Sequence, residues 1–218
     1  MIIAIDGPAG AGKSTIAKII AQKLGFLYID TGAMYRALTL KSLNENVDIA
    51  DAARMAELAR KSTIDLINDP EGTLKVTLDG KDVSREIRDP RISKYVSDVA
   101  KIREVREVML QAQRNLGSRD NSILDGRDIG TVVFPNAQKK FFLDANFIER
   151  VNRRHKELNE AGSEIAWNSV EADLSNRDTI DSTRECAPLK KAEDAIYVDT
   201  TDLNIQQVVE KILSYING

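Results

Sequence analysis

Apolar positions near the start of the chain fall into short runs that alternate between strand-like and helix-like spacing. Ile2 to Ile5 is a β-branched run bounded by Asp6-Gly7-Pro8, which predicts a buried strand ending in a loop. From Ser14 to Leu24, residues Ile16, Ile19, Ile20 and Leu24 share one helical face, and Gly25 stands at the C-terminal cap position. Phe26 to Ile29 predicts a second strand, and Asp30-Thr31-Gly32 leads into an amphipathic helix from Ala33 to Leu43. Strand, helix, strand, helix in that order implies a parallel sheet of the α/β class.

The period changes between about residues 63 and 84. Ile64 and Leu66 alternate with polar positions, Asn68-Asp-Pro-Glu-Gly72 reads as a turn, Leu74, Val76 and Leu78 alternate again, and Asp79-Gly80 is a two-residue hairpin signal. This predicts a small three-stranded antiparallel meander inserted into the α/β chain. Helical pattern follows to about Gly117. Ser122 to Leu124 and Lys140 to Leu143 predict two further central strands and Ala195 to Asp199 the last strand, with Ile205 to Ile216 a closing helix. Asn146-Phe-Ile-Glu149 reads as a capping box opening a charged helix through Asn159, with Gly162 beyond its end.

Composition narrows the function classes. The 218 residues suit one domain, and 31 Lys+Arg against 34 Asp+Glu leave a net charge of −3, which disfavours nucleic acid as a partner. One cysteine, Cys186, and one histidine, His155, supply neither a disulfide nor a zinc set. With no signal-peptide flank and no apolar stretch near the ~18 residues of a membrane span, a cytoplasmic monomer is expected.

Gly7-Pro8-Ala9-Gly10-Ala11-Gly12-Lys13-Ser14 matches the phosphate-binding loop, placed as its chemistry requires between a strand and a helix. Glycines there expose backbone N–H groups to phosphate oxygens, a solvated Lys13 reaches the β- and γ-phosphates, and the Ser14 hydroxyl serves Mg²⁺. Thr15 follows on the same turn. The spacing does not give the G-x-G-x-x-G of dinucleotide binding. A GTPase switch lacks its Asn-Lys pair here, and Asp69-Pro-Glu-Gly72, a D-x-x-G match, falls in the meander turn. A nucleotide-binding switch and a kinase for some small metabolite stay open on these residues.

Arginines are concentrated where a second anion would bind. Arg36 and Arg127 each follow a strand end, the side of an open α/β sheet on which ligands sit. Between Asp144 and Leu189 the only lysine is Lys156, against arginines at 150, 153, 154, 177 and 184. Arg150, Arg153 and Arg154 share a helical face, which also suits an ordinary solvated surface. Arg177-Asp-Thr-Ile-Asp181-Ser-Thr-Arg184 couples a carboxylate to two arginines just before Pro188. His155 reads as a solvent-facing helical residue, Cys186 as a bystander, and Trp167 as part of a loop.

The phosphate loop, the D-T-G-x-x-Y-R run ending at Arg36, the D-G-R-D-x-G-T run from Asp125 to Thr131, the R-D-x-x-D-S-x-R run from Arg177 to Arg184 and Ala187-Pro-Leu189 together resemble the bacterial cytidylate kinase family. The resemblance spans nearly the whole chain. It implies a P-loop nucleoside monophosphate kinase with a five-stranded parallel sheet, a monophosphate-binding insert over approximately residues 36–110 and an arginine-rich lid over approximately 146–180. It implies transfer from ATP, with Mg²⁺, to CMP and dCMP. Carried over by motif, Arg36, Arg127 and Arg184 surround the acceptor phosphate, Thr31 offers a hydroxyl beside them, Ser97, Arg106 and Asp128 contact cytosine, and Arg177 and Asp181 face the ribose. Lys13, Arg127, Arg177 and Arg184 then form the catalytic set, and Arg154 joins residues 7–15 on the ATP side. Arg103 departs from the family pattern, where a proline can occur.

Overall fold

The most apolar run of the N-terminus lies at the middle of the molecule. In the computed structural model, which describes residues 1–69 and 73–217, β1 (Ile2–Asp6) has four of its five residues buried. β2 (Leu27–Asp30), β6 (Ser122–Gly126), β7 (Lys139–Asp144) and β8 (Ile196–Asp199) join it in a five-stranded sheet of order β2-β6-β1-β7-β8, parallel throughout. Asp6 lies opposite Gly126 on one side and Phe142 on the other, so the carboxyl ends of the three central strands finish side by side. Ile3, Ile5, Ile29, Ile123, Leu124, Phe141 and Leu143 are fully sequestered there. Each contributes about 1.5–3 kcal/mol by leaving water.

α1 (Lys13–Leu24) follows the phosphate loop and ends at Gly25, whose φ of 66° is the left-handed cap the sequence signals. α2 (Thr31–Asn44) starts two residues earlier than the apolar pattern suggests, because the Asp30 side chain accepts from the Ala33 N–H and caps it there. After α3 (Ala52–Arg60), β3 (Ile64–Asn68), β4 (Leu74–Leu78) and β5 (Lys81–Asp82) form the separate antiparallel sheet. Asp79 and Gly80 both have positive φ, 50° and 80°, as a tight hairpin turn requires. Of the turn read at Asn68 to Gly72, and of the D-x-x-G match within it, Pro70, Glu71 and Gly72 lie outside the described residues. α4 (Pro90–Lys101) and α5 (Arg103–Gly117) lead back to the main sheet.

Two further helices lean on the phosphate loop with a small core of their own. α6 (Phe147–Glu160) and α7 (Trp167–Thr183) bury Val151, Leu158, Val170 and Leu174 against Ala9. Trp167 therefore opens a helix instead of lying in a loop, and its indole N–H donates to Asn152 Oδ1 of α6 at 2.8 Å. Only half of the expected capping box forms. Asn146 Oδ1 accepts from the Glu149 N–H, but the Glu149 carboxylate pairs with Arg153. α8 (Ile205–Asn217) closes the chain.

Candidate active site

Gly7 turns the chain off β1 with no room for a side chain. A Cβ at that position would lie 1.9 Å from the Leu143 carbonyl oxygen, so the loop starts tight against β7. Gly12 (φ 85°) caps α1, and Lys13 is its first residue. Lys13 is not the solvated loop lysine the sequence suggests: it is 5% exposed and donates to the Pro8 carbonyl at 2.6 Å. Burial, and then the positive charge of Arg127, push its pKa down. A buried ammonium with these neighbours is poised to be stabilised by an anion.

Asp125, at the end of β6, organises the loop from behind. Its carboxylate accepts from Ser14 Oγ at 2.8 Å and from the Tyr28 hydroxyl at 2.9 Å, and its carbonyl accepts from Thr31 Oγ1 at 2.7 Å. Burial and then the negative charge of Asp30 push the Asp125 carboxyl up. The Thr31 proton is thus held by the main chain. Ser14 and Thr15 are exposed at the mouth of the loop.

On the acceptor side the arginines converge. Arg127 donates to Asp181 at 2.8 Å, and Asp181 also faces Arg184 at 3.6 Å. Arg184 reaches Asp128 at 3.4 Å, and Arg106 holds the other Asp128 oxygen at 2.5 Å. Arg127, Asp181, Arg184, Asp128 and Arg106 form one alternating chain of charge. Although burial works against it, Arg127 and Arg184 hold the Asp181 carboxyl below the usual range. Arg36 donates to Ser93 Oγ of α4 at 2.8 Å. Burial first, and then the charges of Arg177 and Arg154, lower Arg36 to about 9. The Arg177 Nε is buried without a hydrogen-bond partner among the described residues; Asp173 lies 3.8 Å from its guanidinium, and the Asp181 charge also bears on it. Ser97 is buried one turn along α4 from Ser93, on the same face, and so is not an exposed helical serine.

The three arginines of α6 do not act as one face. Arg150 is buried: its Nη1 donates to the Ala9 carbonyl at 3.0 Å and to Asp178 at 2.5 Å, while Asp178 accepts from the Ala9 N–H at 3.3 Å. Arg153 fastens α6 to the end of β8 through the Thr200 hydroxyl and carbonyl. Arg154 alone bears on Arg36 and Arg177, with Glu157 beside it at 2.8 Å. His155 also departs from the solvated reading, because its Nε2 lies 3.0 Å from the Ile165 carbonyl and ties down the turn after α6.

Asp6 and Tyr28 escaped the sequence reading as participants, and Asp125, Arg150 and Asp178 entered it only as members of a motif or an arginine cluster, with no role of their own. Strand-end acids at Asp6 and Asp125 were the available signal for two of them.

The chain matches the family model described as cytidylate kinase over residues 3–218. It is 53% identical over 210 residues to a cytidylate kinase of Caldanaerobacter subterraneus, covering 96% of this chain and 92% of that one. To a cytidylate kinase of Bacillus subtilis it is 50% identical over 211 residues, covering 97% and 94%. Among solved structures, an uncharacterized protein from Eubacterium ventriosum shares the fold, with a TM-score of 0.52 at 11% identity, covering 100% of this chain and 99% of that one. A family match over residues 3–218, with relatives about half identical over nearly the whole chain, leaves one assignment: the chain belongs to the cytidylate kinase family.

Proposed function

We infer that this chain transfers the γ-phosphoryl group of ATP to CMP, and to dCMP, in the cytoplasm. The observation that carries this reading is the charge chain from Arg127 to Arg106, set at the strand ends beside the phosphate loop and ending in a buried carboxylate–guanidinium pair. Arg36, Arg127 and Arg184 suit a dianionic acceptor phosphate, for which planar guanidinium groups are the strongest partners. Thr31 borders that phosphate, Arg177 and Asp181 face the ribose, and Asp128 with Arg106 and Ser97 meets the base. On the donor side, backbone N–H groups of residues 7–15, Lys13 and Arg154 hold the triphosphate.

The residues present also suit Mg²⁺. Ser14 offers an exposed hydroxyl backed by the Asp125 carboxylate, a hard oxygen set of the sparse kind Mg²⁺ takes when phosphates and waters complete its shell. When bound, the ion neutralises phosphate charge. The protein's share is alignment and electrostatic stabilisation of an in-line transfer. The acceptor phosphate is already anionic, so no side chain is assigned as a strong base.

Coupled ADP release measured with CMP, dCMP, UMP, AMP and shikimate tests the reading. CMP is expected to give the highest kcat/KM, and equal or better turnover of any acceptor outside the cytidine pair would overturn it.

The α6–α7 unit acts as a lid. Its like charges are less exposed to one another than helical spacing suggests, since Arg150 and Arg153 are already paired, which leaves closure to Arg154 and the 155–165 turn. Hydrogen exchange in residues 155–165 is expected to slow on binding a bisubstrate analogue, while the Arg150 root changes little. Equal protection of 155–165 in both states would remove the lid.

A further inference from the structure

The last residue of β1 is a buried carboxylate with no part in the chemistry described above. Asp6 is 4% exposed, and it accepts two main-chain hydrogen bonds, Oδ1 from the Ile129 N–H at 2.8 Å and Oδ2 from the Gly130 N–H at 2.7 Å. Those donors open a π-helical turn, Ile129–Val133, that closes back on the Asp128 carbonyl through the N–H groups of Val132 and Val133. Gly130 packs closely here: a Cβ there would lie 3.4 Å from Asp6 Oδ2 and 3.1 Å from Lys140 Cδ. Asp6 itself stands on a strand paired on both sides, opposite Gly126 and Phe142, and the next residue, Gly7, leaves no room for a side chain beside Leu143.

Asp128 is therefore held in two ways. Its side chain is gripped by the tips of Arg106 and Arg184, which are long and must also serve substrate. The backbone that follows it is held at Ile129 and Gly130 by Asp6, while Arg114 holds the far end of the same turn through the Val132 and Val133 carbonyls; of the two, Asp6 stands on the strand that carries the phosphate loop. We propose that Asp6 is a positioning residue that fixes Asp128 relative to the phosphate loop, so that recognition of the acceptor base and alignment of the two phosphates share one rigid connection. This rests on the base-reading role inferred for Asp128.

An asparagine at this position keeps the shape but offers one acceptor oxygen where two N–H groups need one each, and turns its NH₂ toward the other donor. The loop must then shift. Burial raises the Asp6 carboxyl to about 6 against the two N–H bonds that lower it, so at pH 8 it is ionised in the wild type. The Asp128 charge raises it further and Lys13 lowers it.

The test is kcat/KM for CMP and for UMP at pH 8 and saturating ATP, for the wild type, Asp6→Asn, Asp128→Asn and the double variant. The CMP:UMP ratio does not depend on how much of a preparation is folded, so a merely structural role leaves it unmoved. Asp6→Asn is expected to lower the ratio by about fivefold to tenfold, and in the Asp128→Asn background by less than about twofold, since the contact it positions is already lost. An unchanged ratio for Asp6→Asn, or full additivity in the double variant, overturns the proposal. An unchanged ratio for Asp128→Asn overturns the base reading and the proposal with it. Asp6→Ser, which removes the buried charge and the long amide donor, is read by the same ratio if Asp6→Asn does not fold.

Discussion

Lys13→Ala is expected to lower kcat by about 10³-fold or more, equivalent to roughly 4 kcal/mol of transition-state stabilisation. The argument is electrostatic. Lys13 is buried at the mouth of the phosphate loop, donating to a neutral carbonyl and pressed by the charge of Arg127, so its ammonium is poorly stabilised until phosphate oxygens arrive. Charge that moves onto the β–γ bridge during transfer meets a preformed, water-poor cation, which is where such a contact is worth most. The same burial gives a second, opposite expectation. Removing an ammonium whose pKa is pushed down relieves a cost to the unliganded fold, so the Tm of the empty variant should equal or exceed that of the wild type. Steady-state kinetics and calorimetry check both halves, and a variant with near-normal kcat would take Lys13 out of the mechanism.

Asp128→Asn is expected to narrow the preference for CMP over UMP by roughly 10- to 100-fold in kcat/KM. Cytosine presents an amino donor at N4 and acceptors at N3 and O2, whereas uracil presents an acceptor at O4 and a donor at N3. A carboxylate accepts from N4 and the Arg106 guanidinium donates to N3 or O2, so the pair complements cytosine. Uracil would set O4 against carboxylate oxygens and N3–H against guanidinium hydrogens, in a pocket where both partners are about 7% exposed. The amide can turn an N–H toward O4 and remove half of that conflict. Equal loss of both substrates would assign Asp128 to structure alone.

How much of this was legible in the sequence follows from what each signal encodes. The five strands read correctly because each carries a short apolar run between turn or acidic residues, longest in β1, where a central parallel strand buried on both faces needs little else. The family resemblance read correctly because several fixed spacings, in the phosphate loop and the arginine runs, coincide. α7 did not read as a helix. Its buried stripe is Val170, Leu174, Arg177 and Asp181, at helical spacing, but half of that stripe is charged and so breaks the apolar pattern. Helical spacing placed Arg150, Arg153 and Arg154 on one face but could not give their destinations, which lie on three different parts of the fold. Asp6 and Asp125 are short acids at strand ends, and only the parallel register that sets Asp6 beside Gly126 reveals what they support.

The clamp of Arg150 and Asp178 on Ala9 gives the proposed lid a fulcrum, and a fulcrum divides a helix into a short arm and a long one. At 1.5 Å of rise per residue, Arg154 lies only about 6 Å from that pivot, whereas Glu160 lies about 15 Å away and the turn beyond it farther still. A swing of about 20° then carries the helix tip roughly 5 Å and Arg154 only about 2 Å. In the proposed closure the end that would shut out water sweeps widely, while Arg154, proposed to meet the triphosphate, moves little. Leverage of this kind lets one rigid helix open for exchange of nucleotides without dismantling the charged centre at its root.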